Sequence, residues 1–422
     1  MARITMSRYC PGNNDYIKEF IYRNISGTEL LKMSLSKFCI KYIANKNSLI
    51  KHKNVDFDMF INSINLKAIC VFAPFGDDCP NDGYAKRILS IDQGLLKDYH
   101  KIYINCCVNT NSNFEIRKID EEHTYIKFNS YELEQLNKVL KIIERVKITY
   151  THSINMFMPD YTNAKLLNFL YDDSTFNILD VHGDVPNEIA MSGDISRSYI
   201  AKQIEKLLVN GADLLICVSE KMKINLTKEY DLEKEKFLLI NIVNDYKTNI
   251  DEVLKIKCNK KPIIVYSGGL QDWQCICQME EIIRKTKNLY NYKIFINNSR
   301  LYEDKYMALS KIEGIELNTL EYEDIKKEYI KIDYGFILRE KSKVNEVSCP
   351  TKLFEYLAYG IIPIINENTI NIIDTKGIKY ITKTQLINGV LPTNEEKEEM
   401  ARYNYEIYRT QLKNNDIKLI YE

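Results

Sequence analysis

The sequence predicts an α/β protein with two doubly wound parallel-sheet domains, preceded by a mainly helical extension. From Lys67 onward, short β-branched runs alternate with segments of helical period, the pattern of parallel strands joined by crossover helices. The alternation stops in a charged stretch, Asp245–Lys261, and restarts at Pro262–Ser267. A chain of 422 residues has room for about two to three domains, each with its own core. We therefore predict an interdomain linker around residue 250.

The extension, residues 1–65, is predicted to be mainly helical because apolar residues recur through Tyr16–Asn45. It carries ten basic and five acidic residues, a net charge of +5, whereas the whole chain balances 58 against 58. A basic amphipathic segment can bind an anionic bilayer surface, or it can cap a domain with its lysines in water. We expect the cap, with at most weak peripheral membrane contact.

The first predicted domain covers residues 66–250. Its candidate strands are Ala68–Ala73, Lys101–Val108, Thr124–Phe128, Lys147–Thr151, Phe176–Val181 and Ala212–Val218. Its clearest helices are Glu132–Arg145, Tyr199–Asn210 and one that begins near Tyr84. Nearly continuous apolar runs of this kind are typical of parallel strands that are covered on both faces.

The second predicted domain covers residues 251–392. Its candidate strands are Pro262–Ser267, Tyr292–Asn297, Ile315–Asn318, Tyr334–Leu338, Ile361–Ile365 and Ile378–Ile381. A long, charged, tyrosine-rich helix, Asn394–Leu412, follows within residues 393–422.

The helix Pro350–Tyr359 has clear signals at both ends. Pro350 suits a first helical turn because its missing N–H costs nothing there, and Gly360 suits the left-handed residue that closes a helix. The polar loop before this helix follows the strand Tyr334–Leu338. In open α/β sheets, ligands bind beyond such carboxyl ends of strands.

Cations gather where this helix begins. Arg339, Lys341 and Lys343 lie in the preceding loop, and Lys352 lies in the first turn. Free helix N–H groups with several cations form an anion cradle suited to a diphosphate. Glu355 shares a face with Lys352 and can accept two hydroxyl hydrogen bonds, as from a ribose. These groups indicate a nucleotide-diphosphate pocket. The alternative is a purely structural αβ unit with a solvated basic loop.

The run PTKLFEYLAYG at 350–360, with Arg339 before it and Pro363 after it, resembles the donor-site signature of family 4 glycosyltransferases. These are retaining, metal-independent enzymes with two Rossmann-like domains facing across a cleft, the GT-B class. Many members carry a first glutamate eight residues before the second, in contact with the transferred sugar. This chain has Val347 at that position.

The resemblance implies roles for the residues of this run. Glu355 would bind the donor ribose, while Arg339 and Lys352 would bind the diphosphate and act in catalysis. Pro350 and Thr351, at the helix start, would contact the donor. In this family, a C-terminal helix crosses back onto the N-terminal domain, as Asn394–Leu412 and the tail to residue 422 would do here.

Two glycine-bearing loops also fit the resemblance. Gly268 and Gly269 follow the strand Pro262–Ser267 and would let backbone N–H groups approach the donor diphosphate, although Leu270–Gln274 supplies no cation. Gly83 closes the loop after the first strand and would bring backbone to the donor phosphates. That loop has no GxGxxG pattern, which argues against a nicotinamide dinucleotide site.

The loop Asp180–Glu188 carries the best candidate histidine. Its Asp-x-His-Gly…Glu pattern is similar to a run at the cleft face of the family's first domain, which implies that His182 lies near the reacting sugar. A neutral imidazole can position a hydroxyl or a departing phosphate, but a loop histidine can also simply hold its own turn. Asp180 and Glu188 could form a hydrolytic pair. We expect instead that Asp180 supports the loop and Glu188 caps the next element.

Composition excludes several other classes. Because acidic and basic residues balance, the chain has no net positive charge that would attract nucleic acid. The eleven cysteines show no zinc spacing, which predicts free, mostly buried thiols in a reducing cytosol, and no spaced carboxylate motif indicates a metal site. Met1–Cys10 is too polar for a signal peptide, and no apolar run reaches the roughly 18 residues of a membrane span. We expect a cytoplasmic protein, either free or peripheral at the inner membrane face.

The sequence therefore predicts a hexosyl-type retaining glycosyltransferase in polysaccharide biosynthesis. It would use a nucleotide diphosphate sugar, UDP-linked in preference to GDP-linked, with no cofactor, and a glycan, lipid-linked or cell-surface polysaccharide acceptor. A homodimer is compatible with the sequence. A non-hydrolysing nucleotide-sugar epimerase of the same fold, or a catalytically silent nucleotide-sugar-binding partner of another transferase, stays open as an alternative.

Overall fold

The fold is given by a computed structural model. It describes residues 57–65, 67–74, 83–107, 114–129, 132–157, 175–233, 236–257, 259–296, 303–320, 322–367 and 376–414. These residues form two α/β units, each built on its own sheet.

The first sheet has eight strands. They are β1 (Ala68–Phe72), β2 (His100–Cys107), β3 (Glu115–Lys118), β4 (His123–Asn129), β5 (Ile148–His152), β6 (Phe176–Val181), β7 (Leu214–Cys217) and β8 (Phe237–Leu239). Their order is β3-β4-β2-β1-β5-β6-β7-β8, and all pairs are parallel except β3–β4. The strand order reverses between β1 and β5, where a doubly wound sheet opens its ligand crevice.

Six helices accompany this sheet in the described ranges. They are α1 (Phe57–Ser63), α2 (Gly83–Gln93), α3 (Leu133–Arg145), α4 (Val185–Met191), α5 (Ile195–Gly211) and α6 (Glu220–Tyr230). Asp184, Asp194 and Ser219 cap α4, α5 and α6, since each side chain accepts a hydrogen bond from a first-turn amide.

The second sheet has six strands, all parallel. They are β9 (Ile263–Gly268), β10 (Asn291–Ile296), β11 (Ile315–Asn318), β12 (Tyr334–Phe336), β13 (Ile362–Ile365) and β14 (Ile381–Thr382). The order β11-β10-β9-β12-β13-β14 is the 3-2-1-4-5-6 order of dinucleotide-binding folds. Its switch point lies between β9 and β12.

Eight helices belong to this second half as described. They are α7 (Ile250–Ile256), α8 (Ile276–Thr286), α9 (Glu303–Ser310), α10 (Tyr322–Tyr329), α11 (Lys343–Val347), α12 (Thr351–Ala358), α13 (Lys383–Ile387) and α14 (Asn394–Asn414). Helix α12 is buried from Lys352 to its end at Ala358, and α14 packs on it.

One apolar core continues between the two halves. Ile242 and Val243, which follow β8, belong to the same buried cluster as Leu357 of α12 and Tyr408 of α14. The Tyr408 hydroxyl donates to the Asn244 carbonyl at 3.1 Å and accepts from the Tyr246 amide at 3.0 Å. The connecting segment is therefore packed and hydrogen-bonded, not a free tether.

The α/β class and the two doubly wound sheets confirm the predicted fold, with local corrections. The predicted strand Ile378–Ile381 is β14 at Ile381–Thr382, and helix α7 lies inside the stretch assigned to the linker. Strands β3 and β8 were not predicted, because β3 is a polar edge strand and β8 has only three residues. Residues 1–56, with most of the predicted extension and its lysines, lie outside the described residues.

Two further sequence-based expectations can be compared with the described residues. Cys70, Cys217, Cys275 and Cys349 are buried free thiols, whereas Cys277 is exposed. Among the described helices, none combines the length and the apolar composition needed to cross a bilayer.

Candidate functional site

The candidate site lies at the switch point of the second sheet, facing the first. Gly268 ends β9 and Gly269 begins the loop that follows, while the loop after β12 carries Arg339. Helix α12 then begins after Pro350, which occupies its N-cap and brings no capping side chain. First-turn N–H groups without a side-chain cap are available to an anion.

Two cations converge on one neutral oxygen at this site. Arg339 Nη1 donates to Gln274 Oε1 at 2.7 Å, and Lys352 Nζ donates to the same oxygen at 3.0 Å. Gln274 ends a short 3-10 turn, Asp272–Gln274, after β9. A single amide oxygen therefore sits where two positive side chains meet.

Both cations are withdrawn from water. Arg339 is 4% exposed and Lys352 is 7% exposed. Burial lowers the pKa of Lys352 well below its ordinary value, and the nearby charge of Arg339 lowers that pKa further. Burial also lowers the pKa of Arg339, whose Nε has no hydrogen-bond partner among the described residues. Lys352 Nζ lies 4.0 Å from the ring centroid of Tyr266, a cation–π contact that partly replaces water.

The two glycines after β9 leave room for this arrangement. Gly268 has φ +139°, and a Cβ there would lie 3.1 Å from Lys352 Nζ. A Cβ on Gly269 would collide with the side chain of Gln271. In the structure, the group that approaches Gly268 most closely is the Lys352 ammonium.

Glu355 of α12 is 2% exposed and is paired with a residue of the first domain. Lys86 Nζ of α2 lies 3.0 Å from both Oε1 and Oε2 of Glu355. Helices α2 and α12 pack together, so this ion pair joins the two halves across the cleft.

On the first-domain side, Asp180 at the end of β6 is completely buried. Arg87 of α2 donates to both of its oxygens, from Nε at 2.7 Å and from Nη2 at 2.9 Å, and Tyr150 Oη donates to Oδ2 at 2.7 Å. Burial alone would raise the pKa of Asp180, but the charge and hydrogen bonds of Arg87 hold that pKa well below its usual range. Asp180 is thus held by Arg87 of α2 and Tyr150 of β5.

His182 lies just beyond Asp180, stacked on a second histidine. The ring centroids of His182 and His152 are 4.6 Å apart, with an interplanar angle of 30°. The Tyr84 hydroxyl donates to the His152 carbonyl at 2.9 Å, and its ring packs edge-on against the His152 ring. Burial lowers the pKa of His152 well below its ordinary value, and His182 lowers it further. At the cleft, the His182 ring is thus stacked on the His152 ring, which Tyr84 contacts in turn.

His152, Asp180 and His182 each place a potential metal-ligand atom within 4.8 Å of the others. The set fits a cation poorly. Both Asp180 oxygens already accept from Arg87, and a metal ion would lie close to that buried guanidinium. We therefore do not assign a metal site to these three residues.

Helix α4 of the first domain packs against turn 272–274 and against α11. The expectation that Glu188 caps this helix is wrong, because Asp184 is the N-cap and accepts from the Asn187 amide. Glu188 instead folds back over Gly183, where a Cβ would lie 2.8 Å from its Oε1. Burial and the charge of Asp184 raise the pKa of Glu188 to about 7.

Other predicted site residues lie apart from this cluster. Lys341 and Lys343 are exposed and do not join Arg339, since the loop turns into α11 at residue 343. Val347 is buried, and its carbonyl accepts from Ser219 Oγ at 2.7 Å. Gly83 is the first residue of α2, and Thr351 is half-buried in the first turn of α12.

Sequence reasoning missed four residues of the site. Gln274 was passed over because its loop lacks a cation, yet that lack is the signal that cations must arrive from elsewhere. In the sequence, Tyr266 is an ordinary strand residue, His152 ends a strand and is only a distant second candidate to His182, and Lys86 follows an acidic loop whose charge it could offset. Each acts through a tertiary contact that no local pattern carries.

No family model and no curated protein matches the chain. Solved structures do match its fold. HepE from Anabaena, in complex with UDP-glucose, aligns over 83% of this chain and 97% of its own, with TM-score 0.59 and 10% identity. Sucrose-phosphate synthase from Thermosynechococcus elongatus aligns over 82% and 94%, with TM-score 0.59 and 12% identity. The α,α-trehalose-phosphate synthase (UDP-forming) from Burkholderia vietnamiensis aligns over 84% and 96%, with TM-score 0.54 and 10% identity.

These similar structures are GT-B glycosyltransferases. They confirm the predicted architecture of two Rossmann-like domains across a cleft. At such low identity, the similarity establishes the fold and leaves function to the site itself.

Proposed function

We propose that this protein is a retaining glycosyltransferase that uses a nucleotide diphosphate sugar. The observation that carries the proposal is the buried charge at the switch point. Arg339 and Lys352 share Gln274, and Lys86 pairs with Glu355, the one carboxylate described in this cluster, so the fully ionised cluster has two positive charges in excess. Buried charges are retained when a partner of opposite charge compensates them. A diphosphate has the matching charge.

The donor groups follow from this placement. Arg339 and Lys352 would exchange Gln274 for phosphate oxygens, and the uncapped first turn at Thr351 would add backbone N–H groups. Glu355 would accept both ribose hydroxyls. Gly268 and Gly269 would bring backbone next to the phosphates, as Gly83 would from the first domain. UDP-sugars are proposed ahead of GDP-sugars, in line with the donor named for HepE.

Chemistry would take place between this cluster and His182. The acceptor hydroxyl would attack the anomeric carbon on the face that the diphosphate leaves. A C–O bond to the acceptor forms as the C–O bond to phosphate breaks, and the acceptor proton passes to the departing phosphate oxygen. His182, stacked on His152, and Glu188, on the helix that meets turn 272–274, would hold sugar hydroxyls.

The acceptor is proposed to be a glycan, a lipid-linked sugar or a cell-surface polysaccharide. A second candidate function rests on Val347, which is buried in an interdomain contact and offers the transferred sugar no carboxylate. A protein that binds nucleotide sugars but leaves turnover to a partner transferase would have this feature. Nucleotide binding without transfer over a broad acceptor panel would favour it.

Calorimetry with UDP and GDP tests the donor site, using Glu355→Gln. We expect the variant to bind both nucleotides about 10- to 150-fold more weakly, as loss of charged hydrogen bonds costs about 1.5–3 kcal/mol. Glu205→Gln is the matched control, because Glu205 is also a buried glutamate paired with a lysine but lies outside the cleft. Unchanged affinity in Glu355→Gln would remove the ribose assignment.

A further inference from the structure

Lys86 holds a position that the proposed ribose needs. It projects from the first turn of α2, in one domain, and its ammonium group lies on the carboxylate of Glu355 in the other. The two distances from Nζ to the carboxylate oxygens are equal, 3.0 Å each. The ammonium therefore lies midway between the two oxygens, in front of the carboxylate.

A ribose diol would approach the carboxylate from the same side. Its two hydroxyls would donate to Oε1 and Oε2, the atoms that Lys86 already occupies. Glu355 is 2% exposed, so the surrounding protein leaves little of the carboxylate for a second partner. Lys86 and the ribose therefore compete for Glu355.

Lys86 cannot leave the cleft when it is displaced. Its neighbour Arg87 fixes α2 through Asp180 and through the Ile240 carbonyl, to which Nη1 donates at 3.0 Å. Only the flexible side chain of Lys86, which is 19% exposed, can move. Its charge already acts on Lys352, beside the position proposed for the diphosphate.

We propose that Lys86 exchanges partners when the donor binds. It gives up Glu355 to the ribose hydroxyls and pairs with the diphosphate, so that the donor links the two domains through one lysine. This inference rests on the proposed nucleotide-diphosphate site. It makes Lys86 a donor-binding residue that selects diphosphates: a nucleoside alone must displace the lysine and offers it no new partner.

The variant Lys86→Met tests the two steps of this exchange separately, the release of Glu355 and the pairing with the diphosphate. Calorimetry would compare uridine with UDP on the parent and on the variant. We expect the variant to bind uridine about tenfold more tightly, because Glu355 is free, a change of the size of one charged hydrogen bond. We also expect the preference for UDP over uridine to fall by about tenfold, because one phosphate partner is lost.

Lys202→Met is the control, since Lys202 pairs with buried Glu205 away from the cleft, and we expect it to change neither affinity. In the background of Glu355→Gln, Lys86→Met should no longer tighten uridine binding. Lys86→Arg, which keeps the charge, should retain most of the UDP preference. Unchanged or weaker uridine binding in Lys86→Met, with the parent binding UDP, would overturn the exchange alone. A parent that binds neither UDP nor GDP would overturn the donor site and the exchange with it.

Discussion

At the scale of single residues, the site is defined by side chains whose partners are weaker than their charges require. Arg339 and Lys352 share the amide oxygen of Gln274, and Arg339 Nε has no partner among the described residues. A neutral acceptor offsets little of the cost of burying two cations. This imbalance favours the entry of an anion, which is the property that a donor site for nucleotide diphosphates needs.

Arg339→Ala and Lys352→Ala should each lower kcat by more than they raise KM. Charge builds on the diphosphate as the glycosidic bond breaks, so these cations stabilise the transition state more than the ground state. Steady-state kinetics with a UDP-sugar donor would measure both parameters, and Lys341→Ala, at an exposed loop position, is the control. Parent-like kinetics in both cation variants would move the diphosphate elsewhere.

A residue-scale pH effect is expected from His152. Its pKa in the folded protein lies well below the ordinary 6.5. The unfolded chain therefore takes up a proton that the folded chain does not, and stability falls as pH drops below about 6.5. The contribution from His152 has a limiting slope of about 1.4 kcal/mol per pH unit.

Urea denaturation of the parent and of His152→Asn between pH 5 and pH 7.5 would measure this effect. The parent should lose more stability on acidification than the variant does. Parallel pH profiles would show that His152 protonates as easily in the fold as out of it.

At the scale of elements, the site depends on how α12 lies on β12 and β9. Gly335 of β12 has no side chain where the Tyr356 ring of α12 packs, and a Cβ there would collide with that ring. Tyr356 is fully buried and packs edge-on against Tyr329 of α10. This contact fixes the helix that presents Lys352 and Glu355.

Gly335→Ala should destabilise the protein by about 1–3 kcal/mol, the usual cost of overpacking a dense core. It should also weaken UDP binding, because α12 must shift to make room. Chemical denaturation and calorimetry would measure the two effects. The double variant Gly335→Ala/Tyr356→Leu should be less destabilised than the sum of its single changes, since the smaller side chain relieves the collision. Additive losses would place the strain elsewhere.

At the scale of the whole molecule, the two halves are joined by a connection that is packed and buried. The segment after β8, helix α7 and helix α14 share a buried cluster with α12, and Tyr405 Oη of α14 donates to the Thr248 carbonyl at 2.6 Å. Lys86–Glu355 and Ser219–Val347 add direct contacts between the halves. These contacts hold the two halves together.

Transfer is expected to survive EDTA. In the proposed donor site, Arg339, Lys352 and the N-terminus of α12 would neutralise the leaving diphosphate, the electrostatic work that a divalent ion does elsewhere. Among the described residues, one group, His152, Asp180 and His182, has ligand atoms close enough together to hold a metal ion. Its carboxylate, Asp180, is already paired with Arg87. Activity assays with chelator, followed by Mn²⁺, test this, and full loss restored by Mn²⁺ would contradict it.

The sequence by itself determined the doubly wound class, most strands and helix α12, because these features depend on local sequence patterns. Strand periodicity, Pro350 at a helix start and Gly360 with φ +58° at a helix end can each be recognised from residues that are close in the sequence. It also singled out Arg339, Lys352 and Glu355 as candidates. Only the tertiary structure decided their partners. The partners in the pairs Arg339–Gln274, Lys86–Glu355 and Arg87–Asp180 are 65 to 269 residues apart in the chain. Local propensity carries no information about contacts over such separations.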